Sequence, residues 1–119
     1  MTLSEQIVSV FTDDDKGRLF TRDEIIQKVT KKYNTNKLSV IPSDYCYNRI
    51  NNDIKRNFDK RVHIFEYINK NEYVYLGVDS EYNGLIYHKS VKSKLRVIGE
   101  WRNGEPIFYD SHRSLSNQS

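Results

Sequence analysis

Alanine is absent from this chain of 119 residues, which has one cysteine and two prolines. The single cysteine, Cys46, excludes an intramolecular disulfide and a zinc site built on several cysteines, and it is typical of a reducing cytoplasm. A chain of this length can bury one compact core but not two independent ones. Asparagine, lysine and isoleucine occur 11 times each, which we interpret as the codon bias of an AT-rich bacterial or phage genome.

Long apolar runs are also missing. The first residues lack a basic segment followed by an apolar stretch, so we expect no secretory signal. No later segment approaches the roughly 18 apolar residues that a membrane-spanning helix needs. The sequence therefore predicts a cytoplasmic protein without a membrane partner.

The residue patterns of common enzymes are absent as well. The three histidines have no second histidine or carboxylate at metal-ligand spacing: His63, His88 and His112. The acidic run Asp13–Asp15 is followed by Lys16 and Gly17, which break the pattern of a calcium loop. Neither a glycine-rich phosphate loop nor a Gly-x-Ser-x-Gly motif is present. We therefore expect no catalytic residues, no metal and no cofactor, and a small nuclease with scattered carboxylates is the weakest alternative.

Positive charge is concentrated in the middle of the chain. Residues 1–27 carry three basic and six acidic side chains, residues 28–61 carry nine and three, and residues 62–119 carry seven of each. The net charges are therefore −3, +6 and 0. A basic segment of this kind is what neutralisation of nucleic-acid phosphates requires. The alternative is that these lysines and arginines only solvate exposed helix faces.

Two capping boxes predict two helices. Thr2 with Glu5 begins a helix over about residues 3–11, and Thr21 with Glu24 begins a second helix that ends in the turn residues 34–36. The apolar residues of the second helix recur at helical spacing. A third helix is predicted over residues 43–58. It would begin after Pro42 and bury one side, formed by Cys46, Tyr47, Ile50, Ile54 and Phe58.

From residue 61 the apolar period changes to two, which predicts strands. A hairpin forms around the polar turn 69–71, with a second strand over residues 73–76. Asn83-Gly84 and Asn103-Gly104 are further turn signals, so residues 82–110 are interpreted as added antiparallel strands. Residues 111–119 are polar and are predicted to form a flexible tail.

The order of these elements over residues 3–77 resembles the winged helix-turn-helix superfamily. The resemblance rests on element order and patterning, without a diagnostic motif. It implies an α+β fold with a three-helix core, a hairpin wing and an added C-terminal antiparallel hairpin. Residues 1–110 would then form a single domain, with residues 43–58 as the helix that reads DNA.

Site residues follow from side-chain chemistry on this arrangement. Arginine and asparagine can hydrogen-bond base edges in the major groove, and lysine binds phosphates. The expected base-reading residues are Tyr45, Asn48, Arg49 and Asn52. The expected phosphate-binding residues are Lys28, Lys31, Lys32, Lys55, Arg56 and Lys70. The partner would be double-stranded DNA, and the protein a regulator or the DNA-reading module of a defence or mobile-element system.

Two questions stay open at this level. Four basic residues lie within the predicted strands of residues 82–110: Lys89, Lys92, Lys94 and Arg96. They either extend the surface that binds nucleic acid or protect an exposed sheet edge from pairing. The aromatic residues Tyr87, Trp101, Phe108 and Tyr109 form a core, or a surface for a second copy or a protein partner. In the latter case the chain is a small protein-binding inhibitor or adaptor.

Overall fold

Two capping boxes begin the α-helices of the computed structural model, which describes residues 1–50, 63–89 and 94–109. Helix α1 spans Leu3–Ser9 and helix α2 spans Arg22–Tyr33. At each start the threonine hydroxyl accepts from the glutamate N–H at 3.1 Å, and the glutamate carboxylate accepts from the threonine N–H at 2.9 and 2.7 Å. Both predicted helices are confirmed. No helix in the described ranges is long and apolar enough to cross a bilayer.

Seven strands are present in the described residues. They are β1 Leu19–Thr21, β2 Arg49–Ile50, β3 Phe65–Asn69, β4 Glu72–Tyr75, β5 Gly84–His88, β6 Arg96–Arg102 and β7 Glu105–Phe108. Three short 3₁₀ turns also occur in this part of the chain, at Asp13–Asp15, Lys37–Ser39 and Pro42–Tyr45.

The first sheet has the antiparallel order β1-β4-β3 and packs against both helices. The predicted hairpin at residues 69–71 is confirmed as the β3–β4 connection. Aromatic side chains form much of the core between the helices and this sheet. The Phe11 ring stacks on that of Tyr75 at a centroid distance of 4.6 Å and meets that of Phe65 edge to face at 5.4 Å. Ile7, Ile25 and Val29 are the fully buried aliphatic residues of the helices.

The second sheet has the order β2-β5-β6-β7 and its own core. The predicted hairpin at Asn103-Gly104 is confirmed, because both residues have positive φ, 51° and 81°, as a two-residue hairpin turn requires. The buried side chains of this core are Tyr47, Ile50, Ile86, Ile98 and Trp101.

The third helix predicted over residues 43–58 is wrong in its described part. The 3₁₀ turn Pro42–Tyr45 is followed by extended backbone at Cys46, by bends at Tyr47 and Asn48, and then by β2. This segment lies between the two sheets, so that Cys46 joins the first core while Tyr47 joins the second. Burial on both sides suits extended backbone better than an amphipathic helix. The three-helix winged-helix fold is therefore also wrong, since the described residues form two α-helices, a three-stranded sheet and a four-stranded sheet.

Tyr47 and Asn48 connect the two sheets. Tyr47 N–H donates to the Phe65 carbonyl at 2.8 Å, while the Tyr47 carbonyl accepts from Trp101 Nε1 at 2.7 Å. The Asn48 carbonyl accepts from Tyr87 N–H in the second sheet at 3.0 Å. These bonds hold the sheets in contact through two adjacent residues.

Candidate nucleic-acid interface

Three of the predicted phosphate-binding residues share one side of α2. At about 100° per residue, Lys28, Lys31 and Lys32 fall within an arc of about 100° around the helix axis. The arc adjoins the buried stripe that contains Ile25 and Val29. The core packing of α2 therefore directs all three lysines toward the same surface, which we call the lysine face.

Aromatic rings hold two of these ammonium groups in place. Lys28 Nζ lies 5.5 Å from the ring centroid of Phe11 and 5.6 Å from that of Phe20. Lys32 Nζ lies 5.3 Å from the ring centroid of Tyr33. Cation–π contacts of this kind restrict the side chains before a ligand arrives, which lowers the entropy lost on binding.

A shallow groove of about 220 Å³ runs beside the lysine face. It is lined by Phe20, Glu24, Gln27, Lys28 and Lys31. The carboxylate of Glu24 accepts the Thr21 N–H at 2.7 Å, so it is held at the start of α2 by the capping box. The groove is therefore acidic at its helix-start end and basic further along.

The lysine face carries uncompensated charge. Lys28, Lys31 and Lys32 have no carboxylate within 4.0 Å in the described part of the chain. Lys31 and Lys32 lie in the last turn of α2, where cations also stabilise the negative end of the helix dipole. Lys31 and Lys32 therefore stabilise the helix end. Together with Lys28, they also leave three positive charges that an anion can bind.

Lys70 lies at the exposed tip of the β3–β4 hairpin, as predicted. The turn is held by Asn69, whose Oδ1 accepts from Asn71 N–H at 2.9 Å. The Asn71 carbonyl accepts from Arg22 N–H at 2.8 Å, so the hairpin tip adjoins the start of α2. Lys70 therefore lies near the start of α2, whereas Lys31 and Lys32 lie in the last turn of this helix.

The predicted base-reading residues do not share an exposed helix face. Tyr45 is only 8% exposed, and burial raises the pKa of its hydroxyl. Asn48 uses its side-chain amide to pair with β3: its Nδ2 donates to the Tyr67 carbonyl at 3.0 Å and its Oδ1 accepts from Tyr67 N–H at 2.7 Å. Arg49 lies on β2, with its guanidinium carbon 4.3 Å from the ring centroid of Tyr67. The placement of these three residues on one helix is wrong because no helix forms at residues 46–50.

Asn52, Lys55 and Arg56 lie outside the described residues, so their assigned roles stay predictions. Lys92 lies outside them as well. Arg96 opens β6 and pairs with His88 of β5, whereas the pairing of β6 with β7 runs over Gly99–Arg102. Both interpretations of Arg96, as part of a nucleic-acid track and as protection for a sheet edge, therefore stay predictions.

Sequence reasoning missed Gln27 and Phe20 as groove residues. Gln27 precedes Lys31 by four residues, which places both on the outward side of α2. Phe20 lies on β1, and its ring forms the wall under Lys28. The helical period of the outward face of α2 could have identified Gln27, whereas the position of Phe20 depends on the packing of α2 on β1.

Cys46 is fully buried, and burial raises the pKa of its thiol well above the ordinary value. The neighbouring imidazole of His63 has its Nδ1 2.7 Å from the Cys46 carbonyl oxygen, not from its sulfur. Within residues 1–50, 63–89 and 94–109, no three His, Cys, Asp or Glu side chains are placed to hold a metal ion. Cys46 thus belongs to the core.

This burial predicts the reactivity of the thiol. In the native protein, we expect Cys46 to react with an aromatic disulfide reagent about 100-fold or more slowly than in urea, because the protonated, covered thiol must wait for an opening of the structure. The rate is followed by absorbance, with the denatured protein as the control. Native reaction at the rate of the denatured chain would contradict the burial of Cys46.

Comparisons with known proteins identify relatives of unknown function. A family described as a domain of unknown function, DUF7225, matches residues 2–108. The uncharacterized protein YnaC of Bacillus subtilis strain 168 is 44% identical over 105 residues, which cover 87% of this chain. The chain spans 38% of the length of that relative. No solved structure matches the chain. Because the family match includes both helices and every strand described above, the chain belongs to the DUF7225 family.

Proposed function

We propose that this chain is a DNA-binding module that holds duplex DNA by its phosphates through the lysine face of α2. The observation that carries the proposal is the set of three lysines on one side of a packed helix, none of them within 4.0 Å of a carboxylate among the described residues. Phosphate contacts supply most of the affinity in binding without sequence preference.

Two further features support a polyanion as the ligand. The hairpin tip with Lys70 adjoins the start of α2 and adds a cation from a second element. After α2, residues 34–61 carry six basic and three acidic side chains, so the chain that follows the helix continues the positive charge. A ligand with regularly repeated negative charges can contact cations on several elements at once and bind more tightly, whereas a single carboxylate cannot.

The expected mode of binding is contact with the backbone of the duplex. Asn48 is used within the fold and Tyr45 is buried, so neither presents a polar group to a base edge. Phosphate contacts position a protein on DNA without reading its sequence. We therefore propose steep dependence on salt with little discrimination among duplexes.

The test is fluorescence anisotropy with a random-sequence duplex between about 50 and 200 mM salt. Each phosphate contact contributes about 0.9 to the slope of log K against log salt, so removing three contacts should flatten the slope by about 2.7. The variant is Lys28→Gln, Lys31→Gln and Lys32→Gln combined. The control combines Lys16→Gln, Arg18→Gln and Arg102→Gln, which removes the same charge from exposed positions outside the basic segment 28–61 and outside Lys89–Arg96.

Two results would overturn the proposal. One is the absence of duplex binding by the unmodified protein at about 50 mM salt, where screening is weak. The other is an equal loss of slope in the control variant, which would show that net charge alone controls the binding. The first result would favour the protein-binding adaptor as the alternative function, and the second would exclude the lysine face as the specific binding surface.

A further inference from the structure

The second sheet has an exposed apolar face on the side opposite its core. Register aligns Leu85, Glu100 and Ile107 in one row across the sheet, and Tyr87 with Val97 in another. These side chains point away from the buried residues Ile86 and Trp101, because successive side chains alternate between the two sides of a strand. We call this surface the outer face.

Apolar side chains form most of the outer face. Five of them are 37–47% exposed: Leu85, Leu95, Val97, Ile107 and Tyr109. Isolated exposed apolar residues are normal, but a contiguous patch of a few hundred Å² marks an interaction surface. The predicted partner surface was assigned to Trp101 and other aromatic residues, yet Trp101 is only 1% exposed and belongs to the core.

Glu100 is the carboxylate in the central row of this patch, and its own chain compensates its charge. Glu100 Oε1 accepts from Arg102 Nη2 at 2.8 Å and from the Tyr109 hydroxyl at 3.1 Å. These bonds lower the pKa of Glu100. Because the carboxylate already has its donors, covering the outer face would not leave an unpaired charge.

The edge of the sheet is a poorer contact than its face. Pro106 lies on the edge strand β7 opposite Trp101. In a two-residue hairpin the N–H at this position points outward, and proline has no N–H to offer. Extension of the sheet by another strand would therefore lack one hydrogen bond, while the apolar outer face stays available.

Charge at the two ends of the outer face identifies its occupant. Glu81 and Glu105 flank the end with the Asn103-Gly104 turn, where the charge of Arg102 is already matched by Glu100, whereas Lys89 and Lys94 flank the opposite end. A two-fold axis that is parallel to the sheet and perpendicular to its strands would bring two outer faces together and place the acidic end of one copy over the basic end of another. We propose that a second copy of this chain covers the outer face in a symmetric dimer. This inference does not depend on DNA binding.

The experiment measures the oligomeric state by sedimentation equilibrium from about 1 µM to about 1 mM, the range in which small interfaces associate. The unmodified protein should dimerise with concentration. Val97→Glu should weaken the dimer about 100-fold or more, because it places a charge inside the patch. Leu38→Glu is the control, since Leu38 is 78% exposed on the distant turn Lys37–Ser39 and its variant should dimerise normally.

A charge exchange tests the two-fold arrangement separately. Glu105→Lys and Lys94→Glu should each weaken the dimer, and the double variant should restore it, because the two ends meet across the axis. Circular dichroism must show native strand content for every variant that is compared. A protein that stays monomeric at about 1 mM, a Val97→Glu variant that dimerises normally, or a double variant without recovery would each overturn the proposed dimer.

Discussion

Replacing Trp101 with alanine is expected to lower the free energy of unfolding by about 3–5 kcal/mol. The indole is buried, meets the Tyr47 ring edge to face at 4.8 Å and lies 5.5 Å from the His63 ring. Its Nε1 donates to the Tyr47 carbonyl at 2.7 Å. The variant therefore loses apolar burial and leaves a buried carbonyl without its donor. Urea denaturation followed by circular dichroism measures the change.

Two variants separate the contributions at this position. Trp101→Phe keeps a ring but removes the N–H donor, and it should cost about 1–3 kcal/mol. Leu38→Ala changes an exposed side chain and should stay within about 0.5 kcal/mol of the unmodified protein. A loss below about 1 kcal/mol for Trp101→Ala would contradict a formed core in the second sheet.

The same denaturation experiment tests the predicted single domain. Tyr47 joins the core of the second sheet and also bonds to Phe65 in the first. We therefore expect the unmodified protein and Trp101→Ala to unfold in one transition. Two separated transitions would show that the sheets fold as independent units, contrary to the prediction of one domain over residues 1–110.

Replacing Asn48 with alanine is expected to lower the free energy of unfolding by about 2–3 kcal/mol, because both hydrogen bonds of its amide to the Tyr67 backbone are lost. The side-chain amide of Asn48 makes the same pair of hydrogen bonds to β3 that the backbone of a neighbouring strand would make. Asn48→Asp should also destabilise the fold, since it replaces the donor to the Tyr67 carbonyl with a second acceptor. Chemical denaturation gives both values.

The DNA assay of the same variants separates scaffold from recognition. Under conditions in which Asn48→Ala is folded, its affinity and salt dependence should equal those of the unmodified protein. Asn71→Ala is the matched control, because the Asn71 side chain makes no hydrogen bond to the described residues and should affect stability little. If Asn48→Ala is as stable as Asn71→Ala but binds duplex DNA more weakly, Asn48 contacts DNA and the structural role is wrong.

The failure of the predicted third helix has a specific cause. Cys46 and Ile50 are four residues apart, and this spacing places both on one side of a helix. The polar residues between them also suited an exposed helix face. The structure instead places Cys46 in the first core and Ile50 in the second, with bends at Tyr47 and Asn48 between them. The sheet contacts at Cys46 and Tyr47 decided against the helix, and the local spacing does not contain those contacts.

The helix starts, the hairpins and the location of the positive charge were determined by the sequence itself. A capping box joins residues three apart, and a turn such as Asn103-Gly104 depends on the φ angles of its own residues. Both features therefore involve only residues that are close in the chain. The contacts between residues that are far apart in the chain were decided by the tertiary structure alone. Trp101 meets a carbonyl 54 residues away, Asn48 pairs with a strand 19 residues away, and Lys28 is held over two rings outside its own helix. Those partners are chosen by packing, which no local pattern contains.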